Sequence, residues 1–138
     1  MRAGDTGYFD FLRGERHMSL STLRKSGEPV ATPIWFAEVG GRLYVRTASH
    51  FGKRRRIENN PAVTVAACSE AGELTGTPRP ALARVLGADA PEIEAAEAAL
   101  EAKYPDVRPA MTKLLTDNDW TGVYIEIVPP GGEGSAPT

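Results

Sequence analysis

Short apolar runs recur along the chain, and turn residues separate them. In residues 30–37 the pattern alternates, so that Val30, Thr32, Ile34 and Phe36 share one face of an extended segment. Alternation with a period of two is typical of a half-buried β-strand. Comparable runs predict six strands in all, over residues 17–24, 30–37, 42–48, 62–68, 81–88 and 120–128.

Two of these predicted strands carry features that restrict their place in a sheet. Pro33 stands inside the second strand, on the face that it shares with Ala31, Trp35 and Ala37. Because proline has no N–H to donate, this part of the strand is expected to be an edge or a break. Residues 62–68 lack polar alternation, which predicts that both faces of that strand are covered, as in a barrel.

Helical patterns occupy the segments between some of these strands. Residues 52–59 and 109–115 are expected to form two short helices, and residues 1–14 a short helix or an arm over the core. Pro91 suits the first turn of a longer helix. The apolar stripe of this helix repeats at intervals of three and four residues, through Ile93, Ala96, Leu100 and Tyr104.

The order of the predicted elements favours an antiparallel sheet. Three strands come first, then a short helix, two strands, two helices and a last strand. Residues 38–41 (EVGG) can form a tight hairpin, whereas parallel neighbours need a long crossover connection. We therefore expect a mainly β (α+β) fold, a small closed or partly closed barrel with helices packed at its side.

The composition limits the classes of protein to consider. The chain has 138 residues, 41% of them apolar, which suits a single domain over residues 1–129, and the Pro/Gly/Ser-rich tail 130–138 is expected to be disordered. A formal net charge of −2 argues against a dedicated nucleic-acid binder. The single cysteine, Cys68, excludes an internal disulfide. No secretory signal and no apolar run of roughly 20 residues is found, so a cytoplasmic protein without a membrane partner is expected.

Four consecutive cations interrupt this slightly acidic chain, directly before an apolar run. If they lie on a helix, Lys53 and Arg56 share the side of Ile57, the apolar residue of that turn. Ile57 is then expected to face the core, with Lys53 and Arg56 beside it and able to reach into a groove. Arg54 and Arg55 are expected to point outward into solvent.

Two hydroxyl residues precede the cations and complete a possible anion site. Thr47 and Ser49 lie where a predicted strand ends and a helix begins, and free N–H groups and the helix dipole attract anions at such a place. Lys53 adds a point charge, and Arg56 adds a fork that matches phosphate oxygens. Together these four residues form the predicted phosphate site. The alternative interpretation is a charged helix that is simply solvated.

A longer series of motifs surrounds this site. It comprises Thr22 and Arg24, Gly27 and Pro29, Pro33, Trp35 and Phe36, Thr47, Gly52, Lys53 and Arg56, and Asn60 with Pro61. In this order and spacing the motifs resemble the pyridoxamine 5'-phosphate oxidase-like, FMN-binding split β-barrel family. Within that family the chain is most similar to the oxidoreductases that use the deazaflavin coenzyme F420. The resemblance covers about residues 17–70 and the closing strand at 120–129.

The resemblance implies an antiparallel six-stranded split β-barrel with flanking helices. It also implies a homodimer with a cofactor site at the interface, to which the second chain contributes residues near Trp120 or Tyr124. The implied cofactor is F420, with FMN as the alternative. The residues that it implies for cofactor binding are Thr32, Pro33, Ile34 and Trp35 along the ring, and Thr47, Ser49, Lys53 and Arg56 around the phosphate.

The activity implied by the resemblance is hydride transfer between the deazaflavin and a small conjugated or quinone-like substrate. The resemblance carries over no catalytic side chain, in agreement with chemistry that belongs to a cofactor. His17 and His50 match no metal-ligand spacing. Two alternatives stay open: an FMN-binding oxidoreductase of the same fold, and a non-catalytic protein that binds a cofactor, haem or another tetrapyrrole.

Overall fold

The computed structural model describes residues 7–48, 52–119 and 121–130, and the strands in these ranges lie in one antiparallel sheet. The order across the sheet is β2-β1-β5-β6-β7-β4-β3. The strands are β1 (Met18–Leu23), β2 (Pro29–Ile34), β3 (Ala37–Val39), β4 (Arg42–Ala48), β5 (Ala62–Ala67), β6 (Arg79–Val85) and β7 (Gly122–Val128).

Three α-helices accompany this sheet in the described part of the chain. They are α1 (Gly52–Asn59), α2 (Glu92–Lys103) and α3 (Arg108–Asp117), and a 3-10 turn at Asp10–Leu12 precedes the sheet. The stripe predicted for α2 is largely buried, because Ala96, Leu100 and Tyr104 are each at most 2% exposed. No helix within the described ranges is both long enough and apolar enough to cross a membrane.

The predicted strand 30–37 is two strands in the structure, so the described sheet has seven strands where six were expected. β2 lies at one end of the strand order and β3 at the other, and only Trp35 and Phe36 join them. Three residue steps reach at most about 11 Å, so the sheet must curl until its two ends nearly meet. This curled, half-closed sheet with flanking helices confirms the predicted split β-barrel.

The break between β2 and β3 is stabilised by a tyrosine at the end of α2. The hydroxyl of Tyr104 accepts a hydrogen bond from the Phe36 N–H at 3.0 Å. The same hydroxyl lies 2.8 Å from the Phe36 carbonyl oxygen and 2.9 Å from that of Arg16. Lys103 donates to the Phe36 carbonyl at 2.9 Å. Side chains therefore satisfy the backbone groups that leave the sheet here, as buried polar groups require.

The other boundaries agree more closely with the sequence pattern. β3 and β4 form the predicted hairpin, and its loop residues Gly40 and Gly41 have φ values of 61° and 85°. Both values lie in the left-handed region that two-residue hairpin loops use and glycine tolerates. The strand predicted at 81–88 instead begins at Arg79 and ends at Val85.

The interior of the curled sheet is apolar. Alternate residues of β4 and β7 enter it, and Leu43, Val45, Ile125 and Ile127 have no measurable exposure. Ile57 of α1 is 2% exposed and belongs to the same cluster, as the helical pattern predicted. The position of Ile57 determines how α1 lies at the edge of the barrel, and therefore where the cations of this helix stand.

A buried carboxylate joins three strands on the outer face of the sheet. Glu126 on β7 is 3% exposed and accepts hydrogen bonds from Tyr44 on β4 at 2.8 Å and from Arg84 on β6 at 2.7 Å. Arg42 donates to the same carboxylate at 3.2 Å. Burial alone would raise the pKa of Glu126, but these three donors outweigh it and lower that pKa below the ordinary glutamate value. The carboxylate thus stays charged and holds the strands together.

Candidate functional site

A cavity of about 300 Å³ lies beside the break between β2 and β3. This volume is at the lower end of the range for sites that bind small molecules. Its polar lining comes from four separate parts of the chain, and comprises His17, Arg46, Thr47, Lys53 and Glu70. The cavity therefore has both cationic and anionic groups, with the cations in excess.

The remaining lining of the cavity is apolar. Pro33, Ile34 and Trp35 form a wall at the end of β2, and Ala48 lies at the end of β4. The other apolar lining residues, Met111, Leu114 and Leu115, belong to α3. Leu114 is 52% exposed, an unusual exposure for a large apolar side chain that also lines a cavity. The arrangement suits a ligand with a flat apolar part and an anionic part.

The indole of Trp35 is held in one orientation. Its Nε1–H donates to Nε2 of His17 at 3.1 Å, and its ring stacks on Tyr104 with centroids 5.4 Å apart and planes inclined by 23°. Because Nε2 of His17 accepts this bond, a neutral His17 carries its proton on Nδ1. These contacts fix a flat aromatic surface along one side of the cavity.

The two cations that the helical pattern selected have different surroundings. Lys53 is half-buried and lines the cavity, and burial, followed by the nearby Arg56, lowers the pKa of Lys53. Arg56 does not line the cavity; its Nε donates to Oγ1 of Thr22 at 2.6 Å. The guanidinium of Arg56 lies against Gly52, where a Cβ atom would be 2.5 Å from Nη1. Two cations kept near each other at a helix start favour binding of an anion there.

Arg54 and Arg55, the two cations that were expected to point outward, also differ in their surroundings. Arg55 is exposed, whereas Arg54 forms a surface ion pair with Glu58 one helical turn away, at 3.3 Å. Neither residue lines the cavity. Arg55 therefore carries its charge at the surface of α1, outside the cavity.

The structure brings together five of the eight residues that the resemblance implied for cofactor binding. These five, Pro33, Ile34, Trp35, Thr47 and Lys53, line one cavity. Thr32 and Arg56 lie on the adjoining elements β2 and α1 but are not lining residues. Ser49 lies outside the described residues, as do His50 and Trp120. Tyr124 is on β7, where its hydroxyl donates to Glu97 of α2.

Arg46 is a lining residue that the sequence pattern did not single out. Its guanidinium lies across Gly122 of the neighbouring strand, at a point where a Cβ atom would be 2.6 Å from Nε. It also lies over the ring of Tyr124, with 5.7 Å between Cζ and the ring centroid. The Nε atom is buried and has no hydrogen-bond acceptor among the described residues. The sequence offered no distinctive signal, because Arg46 shares one face of β4 with a second arginine, Arg42.

A carboxylate close to Arg46 is already occupied by other groups. Glu97 on α2 accepts hydrogen bonds from Arg108 at one oxygen and from the Tyr124 hydroxyl at the other. Burial alone would raise the pKa of Glu97, but Arg108 and Tyr124 outweigh it, with a smaller effect of Arg46, and lower that pKa. Arg108 is 4% exposed and begins α3, so this pair also attaches α3 to α2.

Comparison with known proteins agrees with this architecture. Residues 7–116 match the family described as pyridoxamine 5'-phosphate oxidase, and the chain belongs to that family. No curated protein sequence matches the chain. Several solved structures share its fold at low sequence identity, and their similarity therefore shows the fold alone.

Three of these structures illustrate the range of proteins that share this fold. The haem storage protein HutZ from Vibrio cholerae has a TM-score of 0.68 at 16% identity, over 96% of this chain and 93% of that chain. An FAD-binding protein from Mesorhizobium loti has a TM-score of 0.63 at 15% identity, over 88% and 84%. A conserved hypothetical protein from Mycobacterium tuberculosis has a TM-score of 0.62 at 19% identity, over 94% and 81%.

Proposed function

We propose that this protein is an oxidoreductase that binds a flavin-type cofactor in the cavity beside β2 and β4, with F420 as the cofactor. It transfers a hydride between the deazaflavin and a small conjugated or quinone-like substrate. The observation that carries the proposal is that one cavity joins an anion-binding end, at Thr47 and Lys53, to a flat apolar wall, at residues 33–35. A phosphate and an aromatic ring on one ligand need this combination.

The anion-binding end supports a phosphate for electrostatic reasons. Burial and Arg56 both lower the pKa of Lys53, and a bound phosphate anion would relieve the repulsion between these two cations. Arg56 is already held by Thr22, so its charge is positioned before any ligand arrives. Such preorganisation reduces the entropy lost on binding.

The apolar wall supports the placement of a ring. Trp35 is fixed by its hydrogen bond to His17 and its stacking on Tyr104, so a planar ring packed along it would be held in one orientation. Pro33, which also belongs to this wall, has no N–H to donate and lies on the edge strand β2. When bound, the cofactor supplies the hydride chemistry, while the chain positions the ring and excludes water through the leucines of α3.

The choice between F420 and FMN depends on charge outside the cavity. Both cofactors carry the phosphate and the flat ring, but F420 also has a long acidic tail. The exposed cations Arg24 and Arg55 lie near or on α1 and provide positive charge for such a tail. FMN remains the alternative cofactor of the same proposal.

The experiment is a fluorescence titration of the purified protein with F420 and, separately, with FMN. We expect Lys53→Ala to weaken binding of the preferred cofactor about 10- to 100-fold, which corresponds to one charge-assisted hydrogen bond. Lys113→Ala, which replaces an exposed lysine of α3 that does not line the cavity, should change the affinity less than twofold. Circular dichroism should show that both variants are folded, because half-exposed lysines add little stability. Unchanged affinity in Lys53→Ala would refute the phosphate site.

The second candidate function is haem binding, which one feature of the cavity favours. His17 lines the cavity, and imidazole is a common axial ligand of haem iron. However, Nε2 of His17 already accepts the Trp35 hydrogen bond, so iron ligation at this atom would cost that contact. A Soret band that forms with hemin and disappears in His17→Phe, together with no binding of F420 or FMN, would favour this function.

A further inference from the structure

Arg46 packs on Gly122 and Tyr124 and acts on Glu97 through its charge, but its Nε has no hydrogen-bond acceptor among the described residues. A long cationic side chain in a strand normally extends into solvent or pairs with a carboxylate. Here the guanidinium instead lies flat over Gly122 and beside the Tyr124 ring, on the wall of the cavity. Glycine at position 122 makes this possible, because a Cβ atom there would be 2.6 Å from Nε and 3.0 Å from Nη2.

The nearby protein groups do not neutralise this cation fully. Both oxygens of Glu97 are used, one by Arg108 and the other by Tyr124. Nε of Arg46 is buried and has no acceptor among the described residues. Because Nε is buried, the end of the guanidinium, with Nη1 and Nη2, is the part that can bind an oxyanion from the cavity in a bidentate arrangement.

We propose that Arg46 is the substrate-selecting residue of the cavity, and that it binds the carboxylate of an apolar, planar substrate. That this ligand is a substrate rests on the proposed function, but binding of its anionic group to Arg46 requires no cofactor. The apolar part of the ligand lies against Trp35 and the α3 residues Leu114 and Leu115, which line the same cavity. Arg46 precedes Thr47 on β4, so the two side chains leave opposite faces of that strand, although Arg46 and Lys53 line the same cavity.

Two fluorescent probes with one aromatic skeleton test the proposal without any cofactor. 8-Anilinonaphthalene-1-sulfonate carries an oxyanion, whereas N-phenyl-1-naphthylamine is its neutral counterpart. We expect Arg46→Met to weaken binding of the sulfonate about tenfold, in line with a charge-assisted hydrogen bond. Binding of the neutral probe should change less than twofold.

A second variant displaces the guanidinium without removing it. Gly122→Ala introduces a methyl group at the position that Nε occupies, and the end of the arginine can move aside at small cost to the fold. We expect a loss of sulfonate affinity similar to that of Arg46→Met. Gly76→Ala is the matched control, because its Cβ atom would make an ordinary contact of 3.5 Å with Ala67 outside the cavity. Thermal melts should show that all three variants are folded.

The outcomes separate this proposal from the proposed function. Equal losses for the two probes, or no loss in either Arg46→Met or Gly122→Ala, would overturn the role of Arg46. The same variants are also titrated with F420 and FMN. If Arg46→Met weakens cofactor binding as much as Lys53→Ala does, the anion belongs to the cofactor and the substrate assignment is wrong. Failure of both cofactors to bind would reject the proposed function and leave the probe result intact.

Discussion

Two glycines beside the cavity determine where two arginines lie. A Cβ atom at Gly52 would be 2.5 Å from Nη1 of Arg56, and one at Gly122 would be 2.6 Å from Nε of Arg46. In both cases the missing side chain allows a guanidinium to lie against the backbone. Electrostatic properties of the cavity therefore depend on residues that carry no charge.

At the scale of single residues, the hydroxyl of Tyr104 also stabilises the break between β2 and β3. Tyr104→Phe would leave the Phe36 N–H without its partner in a buried position, and we expect a loss of about 1–3 kcal/mol in the free energy of unfolding. Tyr8→Phe is the control, since its hydroxyl donates to Pro80 at an exposed site and should cost about 0.5–1.5 kcal/mol. Urea unfolding of both variants measures the difference. Equal losses would contradict the special role of Tyr104.

Among the elements, α2 connects the barrel to the cavity. Its last residues hold the strand break through Lys103 and Tyr104, and Glu97 in its middle holds Arg108 at the start of α3. α3 carries Met111, Leu114 and Leu115, which line the cavity. The position of α3 over the cavity therefore depends on α2, and not on contacts that α3 makes with the sheet alone.

The end of α2 also predicts a dependence of stability on pH. Burial, and then the charge of Arg16, lower the pKa of Lys103 from 10.5 to about 8. Between these values the folded protein has lost a proton that the unfolded chain still holds, so stability should rise as the pH increases from about 8 towards 10. Above pH 10 the Tyr44 hydroxyl, with a pKa raised to about 12, reverses the trend, because the folded state then keeps the extra proton.

Replacing the lysine tests this assignment. In Lys103→Met, the rise in stability between pH 8 and 10 should become smaller, because Lys53 is then the one described lysine left whose pKa burial lowers. Lys113→Met is the control, since Lys113 is exposed and forms a surface pair with Asp117. Urea midpoints at several pH values measure the effect. A rise of undiminished size in Lys103→Met would show that Lys103 does not cause it.

For the whole molecule, the homodimer that the resemblance implies stays a prediction. Light scattering should give a mass about twice the 14.8 kDa of the chain. If each site is completed by the second chain, adding F420 or FMN to dilute protein should shift the population towards dimer, because a ligand stabilises the state that binds it. A monomer that binds cofactor with full affinity would contradict a site at the interface.

How much of this could be predicted from the sequence differs between the fold and the cavity. Short apolar runs between turn residues indicated six strands, and the two glycines at 40 and 41 indicated the hairpin that β3 and β4 form. Pro33 indicated an edge or a break, and β2 is an edge strand that ends one residue later. The division into β2 and β3 was missed, because it depends on Tyr104, 68 positions further along the chain from Phe36.

The sequence by itself determined which side of most elements is buried, because apolar spacing records burial along one local stretch of chain. The exception is α3, where Leu114 is 52% exposed and Arg108 is buried. The apolar spacing therefore indicated the barrel, the inward position of Ile57 and the cations beside it. Only the tertiary structure decided which residues meet in the cavity. The position of Arg46 depends on the space above Gly122, and that of Arg56 on its hydrogen bond to Thr22. The position of α3 depends on the hydrogen bond from Arg108 to Glu97. Each of these contacts joins distant segments, and local periodicity carries no information about which segment covers another.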